Sequence, residues 1–139
     1  MSNENATNMI NIPDFNDAVE EHSVPAGEYK VCLVTITSGI DKNQHPYIKP
    51  IFTLVDHPTA AAIGMFIGLP HAEMDAKDAN RKKLQLNRFR EAMGVPSGNI
   101  DINEIKGHEA WAMVVQKDAG DFGDKEGKQN EIKRFVSAA

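Results

Sequence analysis

Residues 78–93, DANRKKLQLNRFREAM, read as a helix, and their place in the chain sets the fold around them. The stretch is rich in strong helix formers, Asp75 or Asp78 can cap its start, and Ala79, Leu86, Phe89 and Met93 recur on one face at helical spacing. Gly94 and Pro96 stop it. Upstream the pattern changes to strands. After a Val24-Pro25-Ala26-Gly27 turn, Tyr29–Thr37 is rich in β-branched residues and predicts a first strand. Gly39, Asp41, Asn43 and Pro46 punctuate a loop over 38–46. Tyr47–Val55 predicts a second strand, with Tyr47, Lys49, Ile51 and Thr53 on one face and Ile48, Phe52 and Leu54 on the other. Pro50 has no N–H to give a ladder, so this strand is expected at an edge or bulged there. Beyond the Asp56–Thr59 turn, Ile63–Leu69 predicts a third strand folded back on the second, and Pro70 ends it.

Downstream, 97–107 connects to Glu109–Gln116, where Trp111, Met113 and Val115 alternate with Ala110, Ala112 and Val114. That pattern predicts a fourth strand buried on both sides, with Trp111 in the core. Lys117–Asn130 is expected to be a long mobile loop and Glu131–Val136 a fifth strand. Three strands, one helix and two strands, with the first and last inter-strand loops the longest, match a mainly β, five-stranded OB-fold barrel whose helix lies between strands 3 and 4. A ferredoxin-like split βαβ needs a second helix, and no good candidate exists. The expected domains are a flexible acidic N-terminal arm over 1–23 and the OB-fold domain over 24–139.

Composition narrows the chemistry. The net charge of −5 is uneven: residues 1–28 carry six acids and no Lys or Arg, so the remainder is near neutral. Within it, Arg81, Lys82, Lys83, Arg88 and Arg90 form a cationic run without an acid. Such a run is either phosphate-binding or simply the solvated face of an amphipathic helix. Cys32 is the one cysteine, so no intramolecular disulfide forms. No apolar run approaches the roughly 20 residues that span a bilayer, and the N-terminus lacks the order of a secretory signal. No membrane role is expected. The five histidines, His22, His45, His57, His71 and His108, never fall at ligand spacing on one helix face, and no cofactor motif, nucleophile elbow or phosphate-cradling glycine pattern occurs. Asp118, Asp121, Asp124 and Glu126 lack the spacing of a calcium loop. Neither metal, cofactor nor catalysis is expected.

The binding features are stronger. Phe66 stands between Gly64 and Gly68, so its ring has no side-chain neighbour two residues away on its face. A flat base can approach such a ring. If Phe66 instead filled the barrel, Met65, Ile67 and Leu69 would face water, which disfavours that alternative. Tyr47 and Lys49 lie on the non-core face of the second strand, where pairing can bring an aromatic for a base and a cation for a phosphate beside Phe66. An ordinary edge Tyr and Lys is the competing reading. Lys42 in the first long loop, and Phe122, Lys125 and Lys128 in the last, sit on the loops that OB folds use as clamps. Arg81, Lys82, Lys83 and Arg88 complete the candidate nucleic-acid-binding set.

Several pieces, correct in order over about residues 24–136, resemble the short OB-fold single-stranded DNA-binding proteins of bacteriophages, many of them catalogued only as a domain of unknown function. They are Pro25-Ala26-Gly27-Glu28-Tyr29, Phe52-Thr53-Leu54-Val55-Asp56, the Leu84–Pro96 helix end, Phe122-Gly123-Asp124 and Asn130-Glu131-Ile132-Lys133. The resemblance implies an OB fold and a role in phage DNA replication or recombination, in the cytoplasm of the host cell. Proteins of this kind from bacteria and several phages recruit replication proteins through an acidic tail. This sequence departs from that pattern by ending Lys133-Arg134-Phe135-Val136-Ser137-Ala138-Ala139, and phage replication proteins stay open as partners. The expected function is sequence-tolerant binding of single-stranded DNA, by stacking on strands 2 and 3 with phosphate contacts from loops and helix. A protein–protein interaction module of phage origin and a duplex DNA binder acting through the basic helix are the alternatives. Self-association into a homo-oligomer is left open.

Overall fold

The β-branched run that opens the domain forms one strand of 14 residues, long enough to serve two neighbours. The computed structural model describes residues 8–138. Its elements are β1 (Gly27–Ile40), β2 (Pro46–Leu54), β3 (Ile63–Gly64), β4 (Ile67–Gly68), α1 (Ala76–Met93), α2 (Ile102–Ile105), β5 (Glu109–Asp118) and β6 (Lys128–Ala138). The first part of β1 pairs antiparallel with β5, from Gly27↔Val114 to Cys32↔Glu109, and from Val31↔Leu54 to Ile40↔Pro46 it pairs with β2, so Val31 and Cys32 serve both neighbours. A bulge between Leu33 and Thr35 marks the changeover and adds the bend that curls the sheet.

The strand order is β3-β2-β1-β5-β6, with β4 also on β2, giving six antiparallel strands in one sheet. β3 approaches β6, but among the described residues no ladder joins them. The mainly β class stands, while the expected five-stranded barrel is corrected to an open six-stranded sheet. Pro50 accounts for the extra strand. Ile51↔Gly64 and Ile48↔Ile67 belong to one continuous register, which places Pro50 opposite Met65. Met65 N–H donates to the Pro50 carbonyl at 2.9 Å, but Pro50 has no N–H to return. The expected third strand thus splits at Met65-Phe66. Pro50 itself sits in the sheet interior, buried and paired with Ile36, rather than at an edge or a bulge.

α1 spans the open side of the sheet, packing on β4, β5 and β6. The Asp75 carboxylate accepts from Asp78 N–H at 2.8 Å at its start, and Gly94 at φ 63° ends it in the left-handed conformation. Phe89 and Met93 project into the core, where the Phe89 ring meets Phe52 edge-on at 6.3 Å and Phe135 at 6.3 Å. Burying a phenyl ring of this kind contributes about 1.5–3 kcal/mol. With those rings inside, the inner positions of β5 hold only Ala110, Ala112 and Val114. Trp111, Met113 and Val115 consequently face outward and are half-buried, which corrects both the core placement of Trp111 and the strand buried on both sides.

The connections also differ from expectation. The β1–β2 turn covers only 41–45, shorter than the 55–62 connection, and α2 adds one helical turn to the 97–107 segment. β5 and β6 extend further than the sequence indicates, so the expected long loop contracts to 119–127, with a single 3-10 turn at Gly120–Phe122. Asp124 organises it. One carboxylate oxygen accepts from Glu126 N–H at 3.0 Å and Lys128 N–H at 2.9 Å. The other accepts from Ser23 N–H at 2.8 Å and Ser23 Oγ–H at 2.6 Å. The buried Asn130 side chain exchanges two bonds with the Val24 backbone, each 2.8 Å. These contacts fix the point where the N-terminal arm joins the sheet. Of the expected arm, residues 1–7 lie outside the described residues, while 8–22 are exposed and His22 bridges to Ala60.

Candidate nucleic-acid interface

The split strand and the end of β2 together build an exposed surface. The alternation places Ile63 and Ile67 in the core and turns Gly64, Phe66 and Gly68 outward. Phe66 is 55% exposed. Tyr47 pairs with Gly39 on β1 and with Gly68 on β4, so neither cross-strand neighbour carries a side chain. Its ring uses that room. A Cβ at Gly39 would stand 2.7 Å from Tyr47 Oη and 2.9 Å from Cζ, which means the ring lies across Gly39. Tyr47 and Phe66 meet with centroids 4.8 Å apart and planes tilted by 32°. Lys49 lies over Gly64, where a Cβ would stand 2.7 Å from Cε, and Lys82 reaches from α1 to Gly68. Glycines thus form a floor for the Tyr47 ring and for two ammonium stems, with the Phe66 ring beside them.

The open side of the sheet extends this surface. A hollow of about 210 Å³ beside Phe66 meets, at Gln85, an open groove of about 550 Å³ lined by Asp78, Arg81, Lys82, Arg88 and Lys133. Arg81 reaches Asp78 at 3.4 Å. Among the described residues, Lys49, Lys82, Arg88 and Lys133 have no carboxylate within 4.0 Å, so the groove keeps a net positive charge. At Gln129 and Asn130 the Phe66 hollow also adjoins one lined by Phe122. All three hollows touch β6: the central one lies where β3 and β6 fail to join, and the groove lies between α1 and β6.

The expected residues therefore divide. Tyr47, Lys49, Phe66 and Lys82 come together, and Arg81 and Arg88 line the adjoining groove. Phe122 is 93% exposed on its turn, and Lys42 and Lys125 are exposed on their loops. Lys83 is exposed on α1 but does not line the groove. Lys128 is engaged by Asp118: their hydrogen bond and charge attraction raise the lysine's pKa and lower the aspartate's. Gly39, Gln85 and Lys133 contribute without having been singled out. Only the pairing register could have flagged Gly39, as the residue opposite Tyr47. The structure also brings His45 and His71, far apart in the sequence, into a ring stack at 3.8 Å. No protein-family model matches the chain, and no curated protein matches it.

Proposed function

We propose that the chain binds single-stranded DNA without strong sequence preference, laying bases on Tyr47 and Phe66 and phosphates along Lys49, Lys82, Arg88 and Lys133. The observation that carries this reading is the Tyr47–Phe66 ring pair, with Tyr47 laid across Gly39, beside cations that have no carboxylate partner among the described residues. Stacking on an aromatic is worth about 1–3 kcal/mol per base and accepts any base, because every base has a π-face. The strand order supports the reading. β3/β4-β2-β1-β5-β6, with α1 entering before β5, is the order of an OB barrel left open at its last seam, and OB folds bind along strands 2 and 3. In that setting the protein coats strands exposed during phage DNA replication or recombination. Nothing in this role calls for a catalytic step.

The duplex reading draws on the cationic groove of α1. Lys82, however, lies against Gly68 on the ring-bearing surface, which joins the groove to the stacking site. Fluorescence anisotropy with labelled oligo-dT at two salt concentrations, with unlabelled duplex as competitor, tests the proposal. Saturable binding that weakens steeply with salt and resists the duplex is the expected result. Displacement by equal amounts of duplex, or affinity indifferent to salt, would overturn it.

A further inference from the structure

The ends of β2 and β4 carry a second cluster, independent of the stacking surface. Leu69 N–H donates to the Pro46 carbonyl at 3.0 Å, and His45 and His71 lie just beyond that bond on their two segments. The sheet register therefore brings the two imidazoles together. His45 is held from its own side, because Asp41 Oδ1 accepts from Asn43 N–H at 2.8 Å and His45 N–H at 2.9 Å, fixing the turn. The rings stack with planes 14° apart, and Glu73 Oε2 lies 3.2 Å from His45 Nε2. One ligand atom from each of His45, His71 and Glu73 falls within 4.8 Å of the others.

We propose that His45, His71 and Glu73 bind one divalent transition-metal ion, which ties the β1–β2 turn to the segment leading into α1. Two imidazoles and one carboxylate are a donor set for Zn²⁺, Co²⁺ or Ni²⁺, with a fourth position for water. Calcium and magnesium prefer cages of oxygen, which this cluster does not offer. Two further observations point to a cation. His71 Nδ1 is shut off from solvent and has no hydrogen-bond partner among the described residues, so this ring holds a nitrogen whose lone pair or proton is unspent. On His45, Asp41 Oδ2 lies 4.0 Å from Nδ1, beyond hydrogen-bond reach but near enough to add negative charge beside the cluster. Tetrahedral ligation brings donors to about 3.4 Å from one another. The stacked rings reach this by fanning apart on their side-chain torsions, and Glu73, whose side chain is 81% exposed, moves to meet them.

The test uses the full chain, stripped with chelator and titrated with ZnCl₂ by calorimetry and with CoCl₂ by visible absorption. Expected are one zinc per chain, ligand-field bands with cobalt, and a melting temperature raised by zinc. His45→Ala, His71→Ala and Glu73→Gln should each weaken uptake at least about tenfold, while His108→Ala leaves it unchanged. Circular dichroism of the stripped variants reports their fold. Should His71→Ala not fold, Glu73→Gln decides alone, since that side chain is exposed. Absence of saturable uptake, or an equal loss in His108→Ala, would overturn the site.

Discussion

Two patches on the outer face of the sheet each set an aromatic ring beside a lysine, and they differ in what surrounds the pair. At Trp111, the cross-strand partner Lys30 places Nζ 5.9 Å from the ring centroid, and the same ammonium sits 3.5 Å from Glu109. The ring is half-buried and the charge is answered. At Phe66, glycines flank the ring in sequence, Tyr47 extends it into a second surface, and among the described residues neither Lys49 nor Lys82 has a carboxylate within ion-pair distance. An aromatic beside a cation is common on protein surfaces, where the lysine stem often just covers the ring. A stacking site needs an uncovered ring and a cation with no other partner.

The largest expected effect comes from removing the uncovered ring. Phe66→Ala should weaken oligo-dT binding by about 1–3 kcal/mol, roughly 5- to 150-fold, while Trp111→Ala stays within about threefold. Equal losses in anisotropy titrations would erase the distinction between the patches. Gly39→Ala comes next, because the new Cβ would collide with the Tyr47 ring and drive it off its floor. Binding should fall by up to about tenfold as part of one stacking contact is lost. The melting temperature should not fall, since alanine suits a strand better than glycine. A drop in stability with unchanged affinity would show that the ring had not depended on the floor. Lys82→Gln is smaller still: the slope of log affinity against log salt should lessen by about 0.7, one phosphate contact. An unchanged slope would remove Lys82 from the interface. Smallest is the converse change at the other patch. Glu109→Gln releases Lys30 and should steepen that slope by less than about 0.7 if engagement by a carboxylate is what silences the Trp111 patch.

Local signals were enough for much of this. The ends of α1 were readable from Asp75, Gly94 and Pro96, because capping is a contest among neighbours in sequence. The outward turn of Phe66 followed from two glycines and the cost of exposing Met65, Ile67 and Leu69. Trp111 is hard to place from sequence because both faces of β5 are apolar, and the choice falls to Phe52, Phe89 and Phe135, which arrive from other elements and leave room only for Ala110, Ala112 and Val114. Pairing geometry explains other gaps. Pro50 announced a defect in the ladder, but only the register shows that the missing donor faces Met65. His45 and His71 come from two loops, and helix spacing says nothing about residues brought together in that way. Lys128 looked available until the β5–β6 pairing set Asp118 opposite it.

The Asp124 clamp on Ser23 has a consequence in protons. Four donors hold its carboxylate ionised: the Ser23 hydroxyl foremost, then the amides of Ser23, Lys128 and Glu126, and its pKa lies far below the usual carboxylate range. The unfolded chain, with an ordinary aspartate near about 3.9, takes up that proton more readily. Stability from the clamp is therefore fully present well above that value and drains away as the pH falls below roughly 5. Denaturation curves of the wild type and Asp124→Asn should converge in acid, and curves that stay parallel would assign the clamp no proton linkage. The junction that fastens the acidic arm is thus a latch that acid opens from the inside.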